Sequence, residues 1–199
     1  MVALMVGVGL FSVLALLMLA GLVLLYNALV RLRNTVRNAW SQIDVQLKRR
    51  ADLIPNLVKT VQGYAGHESE TLVQVTQARD YAGKQRSPAG RMEAEGLLSQ
   101  ALVNLMAVSE RYPELKADQN FRELQEELTS TENRIAFARQ FYNDSVMTYH
   151  NMRESFPSNM IAGAFSFQEE PLWRLAATDA AHTAPVVAFG EASRTPNGQ

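Results

Sequence analysis

VRNAWSQIDVQLKRRADLIPNLVKTVQGY, residues 36–64, places an apolar or aromatic side chain at Val36, Trp40, Ile43, Leu47, Ile54, Leu57, Val61 and Tyr64. The steps alternate four and three, which is the seam of a helix packing along one stripe, and only Arg50 interrupts it. Pro55 lies inside the run. It has no amide hydrogen and would clash with the Ala51 carbonyl, so a straight helix is excluded and a kink is expected. The alternative is a restart, with Asp52 capping a helix that has Pro55 in its first turn. The seam stays in phase from Leu47 to Ile54, which favours continuity.

Upstream, Met1 to Val30 contains no Asp, Glu, Lys, Arg or His, and the first charge is Arg31. A bilayer core about 30 Å thick needs roughly 20 apolar residues at about 1.5 Å each, and Leu10 to Leu25 is the densest part of such a run. Residues 1–30 therefore read as an uncleaved transmembrane anchor. The run is longer than a signal peptide's and its start carries no basic side chain. A helix continuing from the bilayer to about Tyr64 would be unusually long. Arg31, Arg33 and Arg37 follow the span and nothing basic precedes it, so the positive-inside rule places the N-terminus outside and the following domain in the cytoplasm. These arginines are candidate contacts to anionic lipid head groups; the alternative is a solvated helix face.

Downstream, Gly63, Gly66 and the polar segment around His67 weaken the helix, and apolar residues resume at Leu72, Val75 and Tyr81. Gly83 to Gly90 reads as a loop. Leu98, Leu102, Leu105 and Val108 share a face that ends before Pro113. Asp118 is an N-cap for the clearest helix, whose stripe runs from Phe121 through Leu128, Ile135, Tyr142 and Tyr149 to Met152 and stops before Pro157. No segment alternates with period two over a useful length. The class is all-α, with an N-terminal transmembrane helix and a bundle of three to four long helices over 31–158. Residues 159–199 lose the pattern and read as an irregular, flexible tail.

Reactive constellations are missing from the pattern. The chain has no cysteine, which excludes disulfides and thiolate chemistry. His67 and Glu68 begin an H-E-x-x-H motif, but Thr71 stands where the second histidine must be, so no metal site is expected. Neighbouring carboxylates such as Glu126 and Glu127 diverge by about 100° on a helix and do not converge on one atom. Phosphate loops and serine nucleophile motifs are absent. No catalytic residue, cofactor or metal is expected, nor is nucleic acid, given balanced charge beside a membrane anchor. Tyr142 and Tyr149 fall on the core stripe, where packing is the default role.

Two segments carry a resemblance: RRADLIPNLVKTVQGYAGHESETL, from Arg49 to Leu72, and SERYPELKADQNFRELQEELTSTENRIAFARQFYNDSVMTYHNMRESFPSN, from Ser109 to Asn159. Both are similar to the signature of the LemA family of bacterial membrane-anchored proteins. With the anchor, the resemblance covers most of residues 1–165, and no family pattern is recognised after Phe167. It implies a single transmembrane helix in the bacterial inner membrane, an antiparallel helical bundle and no catalytic residues. It further implies protein partners, among which a membrane zinc peptidase is a candidate. Within the motif, Asp52, Pro55, Asn56, His67 and Glu68 are candidate partner-binding or structural positions. The expected function is a non-catalytic scaffold or adaptor contacting lipid and a protein partner or a second copy. The alternatives are an anionic-lipid-binding remodelling module and an enzyme of unrecognised type.

Overall fold

The computed structural model describes residues 1–174; the part of the expected tail from 175 onward lies outside the described residues. Six helices follow one another among the described residues: α1 (Val2–Tyr64), α2 (Ser69–Lys84), α3 (Pro88–Ser109), α4 (Pro113–Ala117), α5 (Gln119–Glu154) and α6 (Ser158–Ala164). No strand occurs among them, and the all-α class is as the periodicity requires.

The 63 residues of α1 make a rod about 95 Å long at 1.5 Å per residue. Its N-terminal part is long and apolar enough to cross a membrane, and every large apolar side chain from Val2 to Leu24 is exposed. Burial begins at Leu29 and then follows the seam through Val36, Ile43, Leu47, Ile54, Leu57 and Val61. The helix passes Pro55 without a break, so Asp52 caps nothing. The Ala51 carbonyl, which loses its intrahelical donor at Pro55, instead accepts a hydrogen bond from Arg79 Nε of α2 at 2.8 Å. A helix defect is thereby repaired from a neighbouring helix.

Antiparallel to α1 runs α5, held by contacts that advance residue for residue. Tyr64 donates to Asp118, Arg50 meets Glu132, and the Trp40 ring packs against Tyr142 with centroids 5.5 Å apart. Asp118 caps α5 as expected, its Oδ1 accepting from the Phe121 amide at 2.8 Å. α2 and α3 form a hairpin laid against the distal half of α1. The loop read over 83–90 is shorter than that: Ser87 caps α3 by accepting from Gly90 N, and Pro88 occupies the first turn. The Ser-Pro pair is a helix start, because proline at that position loses an amide with no intrahelical partner anyway.

Two cores result. The distal one joins Ile54, Leu57 and Val61 to Leu72 and Val75 of α2, Leu98, Leu102 and Leu105 of α3, and Phe121 and Leu128 of α5. The proximal one joins Leu29, Val36, Ile43 and Leu47 to Ile135, Tyr142, Val146 and Tyr149 of α5, and then to Ile161, Phe167 and Trp173. These last three correct the tail expectation. Residues 159–164 belong to a helix, while 165–174, irregular as expected, are not loose but stitched to α5: the Tyr142 hydroxyl donates to Pro171 O, the Tyr149 hydroxyl to Gln168 O, and Asn143 pairs with both backbone groups of Trp173. The segment has no period of its own because it packs as single chain, its backbone satisfied by side chains of another element.

If Arg79 replaces the donor that Pro55 removes, Arg79→Met should destabilise the full chain in detergent by about 1.5–3 kcal/mol. The loss should shrink in a Pro55→Ala background, where the restored amide serves the same carbonyl. Denaturation of the four proteins of that cycle measures the coupling.

Candidate functional site

The seam position that breaks the apolar pattern becomes the most heavily bonded side chain of the bundle. Arg50 is 1% exposed and lies between Leu47 of the proximal core and Ile54 of the distal one. Its guanidinium donates through Nη1 to Glu132 Oε1 at 2.7 Å and to Ser99 Oγ at 3.0 Å, and through Nη2 to the Glu95 carboxylate. Glu95 is itself 2% exposed. Arg91 Nε lies 2.8 Å from its other oxygen, close enough for an ion pair though poorly aligned for a hydrogen bond, while Arg91 Nη1 donates to Ala82 O at 2.7 Å. The group therefore ties α1, α3 and α5 together and reaches the end of α2. Burial lowers the Arg50 guanidinium, but the carboxylates of Glu132 and Glu95 outweigh it and the net shift is upward. It stays charged at every accessible pH.

A cleft of about 690 Å³ opens beside this group, between α3, α5 and the C-terminal segment, lined among others by Arg50, Met92, Glu95, Glu132 and Trp173. Two of its carboxylates, Glu95 and Glu132, are committed to Arg50. Among the described residues, no three His, Cys, Asp or Glu side chains are grouped to hold a metal ion.

The residues singled out by sequence are dispersed by the fold. Asp52, Pro55 and Asn56 are exposed on α1. His67 is exposed in the α1–α2 junction, whereas Glu68 is half-buried there and pairs with Arg111 Nη2 at 2.9 Å and with the Tyr112 hydroxyl at 3.4 Å. Glu68 thus clamps the first helical junction to the third at the far pole of the bundle, beside the bond from Tyr64 to Asp118. His67 and Glu68 do not converge on a common ligand. Arg31 and Arg37 are exposed, but Arg33 is half-buried, with its guanidinium carbon 5.0 Å above the centre of the Phe167 ring. Arg33 thereby makes a cation–π contact within the protein.

Arg50, Glu95 and Glu132 were missed as a set. The signal was the charge on the seam. Its partners lie 45 and 82 residues away in sequence, where periodicity gives no guide to pairing. Trp173, stacked near Trp40 and under Arg139, was missed because it lies in the segment read as tail.

These features define an all-α protein in which one very long helix, apolar at its N-terminal end, runs into a bundle locked by a buried arginine. The LemA family model matches residues 39–189, and the chain belongs to the LemA family. The matched region continues past Phe167, where the motifs alone suggested that the family pattern ends. The chain is also similar to Magnetosome protein MamQ 2 of Paramagnetospirillum magneticum, 28% identical over 77% of this chain and 68% of the relative. Magnetosome protein MamQ of Magnetospirillum gryphiswaldense is 25% identical over 84% and 70%, and Protein LemA of Metamycoplasma hominis 27% identical over 68% and 63%.

Burial, and then the Glu170 carboxylate, pushes the Tyr142 hydroxyl up to about 12 from its usual 10.0. The folded protein holds this proton more tightly than the unfolded chain does. The associated stability is therefore complete below pH 10 and is lost as pH rises through about 12. Chemical denaturation across that window should reveal the decline, and Tyr142→Phe should flatten it in part.

Proposed function

We propose that this protein is a membrane-anchored, non-catalytic scaffold that presents its bundle close to the bilayer to a protein partner or to a second copy of itself. The observation that supports this most strongly is the continuity of α1. The same helix that carries the exposed apolar stretch also supplies one full side of both cores. No linker uncouples the bundle from its anchor, so the bundle's height and tilt follow the anchor's. A partner surface is available where Phe137, Phe141 and Val45 stand exposed around a shallow cleft of about 500 Å³ between α1 and α5. Clustered exposed apolar side chains of this kind suit protein contact. A membrane zinc peptidase is one candidate occupant, carried only by family resemblance.

A second reading, an anionic-lipid-binding module, draws on the exposure of Arg31 and Arg37 just beyond the apolar stretch. Orientation follows the same charges: N-terminus outside, bundle in the cytoplasm of a single-pass bacterial inner-membrane protein.

Crosslinking in native membranes followed by mass spectrometry tests the scaffold. A reproducible protein or self crosslink, lost in Phe137→Glu with the fold intact, is expected. Lipid binding abolished by neutralising Arg31 and Arg37, with no protein crosslink, would favour the second reading; turnover of a substrate that disappears on replacing His67 or Glu68 would refute the scaffold. For topology, a reporter active only outside the membrane, fused after Gln199, should stay silent.

A further inference from the structure

The C-terminal end of the bundle carries a second apolar surface beside the α1 stretch. From Ser155 to Gln168 the chain has no charged residue, and Glu154 and Glu169 bound it. Within it α6 buries Ile161 and Ala162 against the cluster that contains Leu29, while Phe156, Met160 and Phe165 are 80%, 67% and 62% exposed. Isolated exposed apolar residues are ordinary, but three large ones within ten positions, on a segment without charges, form a patch that needs a cover.

The place of this patch along α1 identifies the cover. The twenty residues from Leu4 to Val23 span about 30 Å, one hydrocarbon thickness. Tyr26 follows within one turn, and its ring meets Phe165 edge-on with centroids 4.9 Å apart and Phe167 at 5.7 Å. Tyrosine at that position is the side chain expected at a bilayer boundary. Phe165 therefore lies at the depth where the exposed apolar stretch of α1 ends, and the patch continues that stretch sideways. Arg33 above Phe167 and the exposed Arg31 and Arg37 stand on the aqueous side, where lipid phosphates lie.

We propose that Phe156, Met160 and Phe165 form an interfacial foot, in which α6 and its flanking turns rest in the headgroup and acyl boundary of the same bilayer that α1 crosses. The foot rests on the anchored reading above and adds to it a second, shallow attachment. One helix alone leaves a bundle free to tilt and rotate about its axis. A foot beside the helix fixes both, and with them the face that Phe137 and Phe141 turn outward along the membrane.

Absence of cysteine from the chain makes the test direct. Single cysteines replace Leu14, Phe156, Met160 or Glu126 in the full chain, are spin-labelled, and are reconstituted in phosphatidylcholine and phosphatidylglycerol vesicles. Accessibility to oxygen and to a neutral nickel chelate then gives depth. Expected are a deep label at Leu14, an aqueous one at Glu126, and labels at Phe156 and Met160 with severalfold less nickel access than Glu126 while oxygen still reaches them. Nickel access at Phe156 and Met160 equal to that at Glu126, with Leu14 deep, would overturn the foot and leave the anchor standing. Exclusion of both reagents at these two positions would also overturn it, in favour of protein cover. Shallow labels there with Leu14 in water would support the foot and refute the anchor; water at all four would refute both.

Discussion

A guanidinium removed from water must find its partners inside the protein, and Arg50 does so by recruiting Glu95 and Ser99 from α3 and Glu132 from α5, both far from it in sequence. Desolvating such a charge costs several kcal/mol, so the arrangement persists only if all the partners arrive together. They arrive only when α3 sits at one height against α1 and α5. A slip of α3 by one turn, about 5.4 Å, would carry the Glu95 carboxylate away from Arg50 and leave it only Arg91 of its own helix as a cation. The apolar side chains on either side set no such height, because leucine stripes interdigitate at several offsets. The cluster thus supplies register where hydrophobic packing supplies affinity.

Its position divides the molecule into two parts of different construction. Beyond Arg50, four long helices and the short α4 enclose an apolar interior, and the far pole is closed by polar ties, from Tyr64 to Asp118 and from Glu68 to Arg111. Before Arg50, α1 and α5 carry the core, α3 reaches it only at its start through Met92, and the chain after Ser158 covers the remaining stripe with Ile161, Phe167 and Trp173. Two helices alone would leave that stripe in water. The C-terminal segment is therefore part of the core, and its seat on α5 brings the uncharged α6 turn alongside the end of the apolar part of α1. On the anchored reading proposed above, one helix shared by the apolar stretch and the bundle makes any contact at the bilayer a constraint on the whole domain.

Much of the fold was legible because helices advertise themselves locally. The four-three seam from Val36 to Tyr64, the Asp118 cap and the stripe from Phe121 to Met152 each correspond to an observed helix or its end. What escaped were interactions whose two halves look unremarkable alone. Arg50 appeared as an interruption, and nothing in the pattern marked Glu95 or Ser99 as its partners. Likewise Asn143 and Tyr142 gave no hint that they would hold the backbone of residues 171–173. The candidate positions in the motif fared unevenly for the same reason. Glu68 proved to be a clamp, whereas Asp52 and Asn56 stay in solvent with no role visible in the fold, and Pro55 matters through the carbonyl it orphans.

The most direct test of the central claim is a double-mutant cycle on Arg50 and Glu95, by urea denaturation of the full chain in detergent. Arg50→Met and Glu95→Leu should each destabilise by about 3–5 kcal/mol, because each leaves the other charge buried with its main partner gone. The double variant should recover most of that loss, giving a coupling energy above about 2 kcal/mol. Losses that simply add, or single variants within about 0.5 kcal/mol of the parent as for ordinary surface changes, would contradict the account.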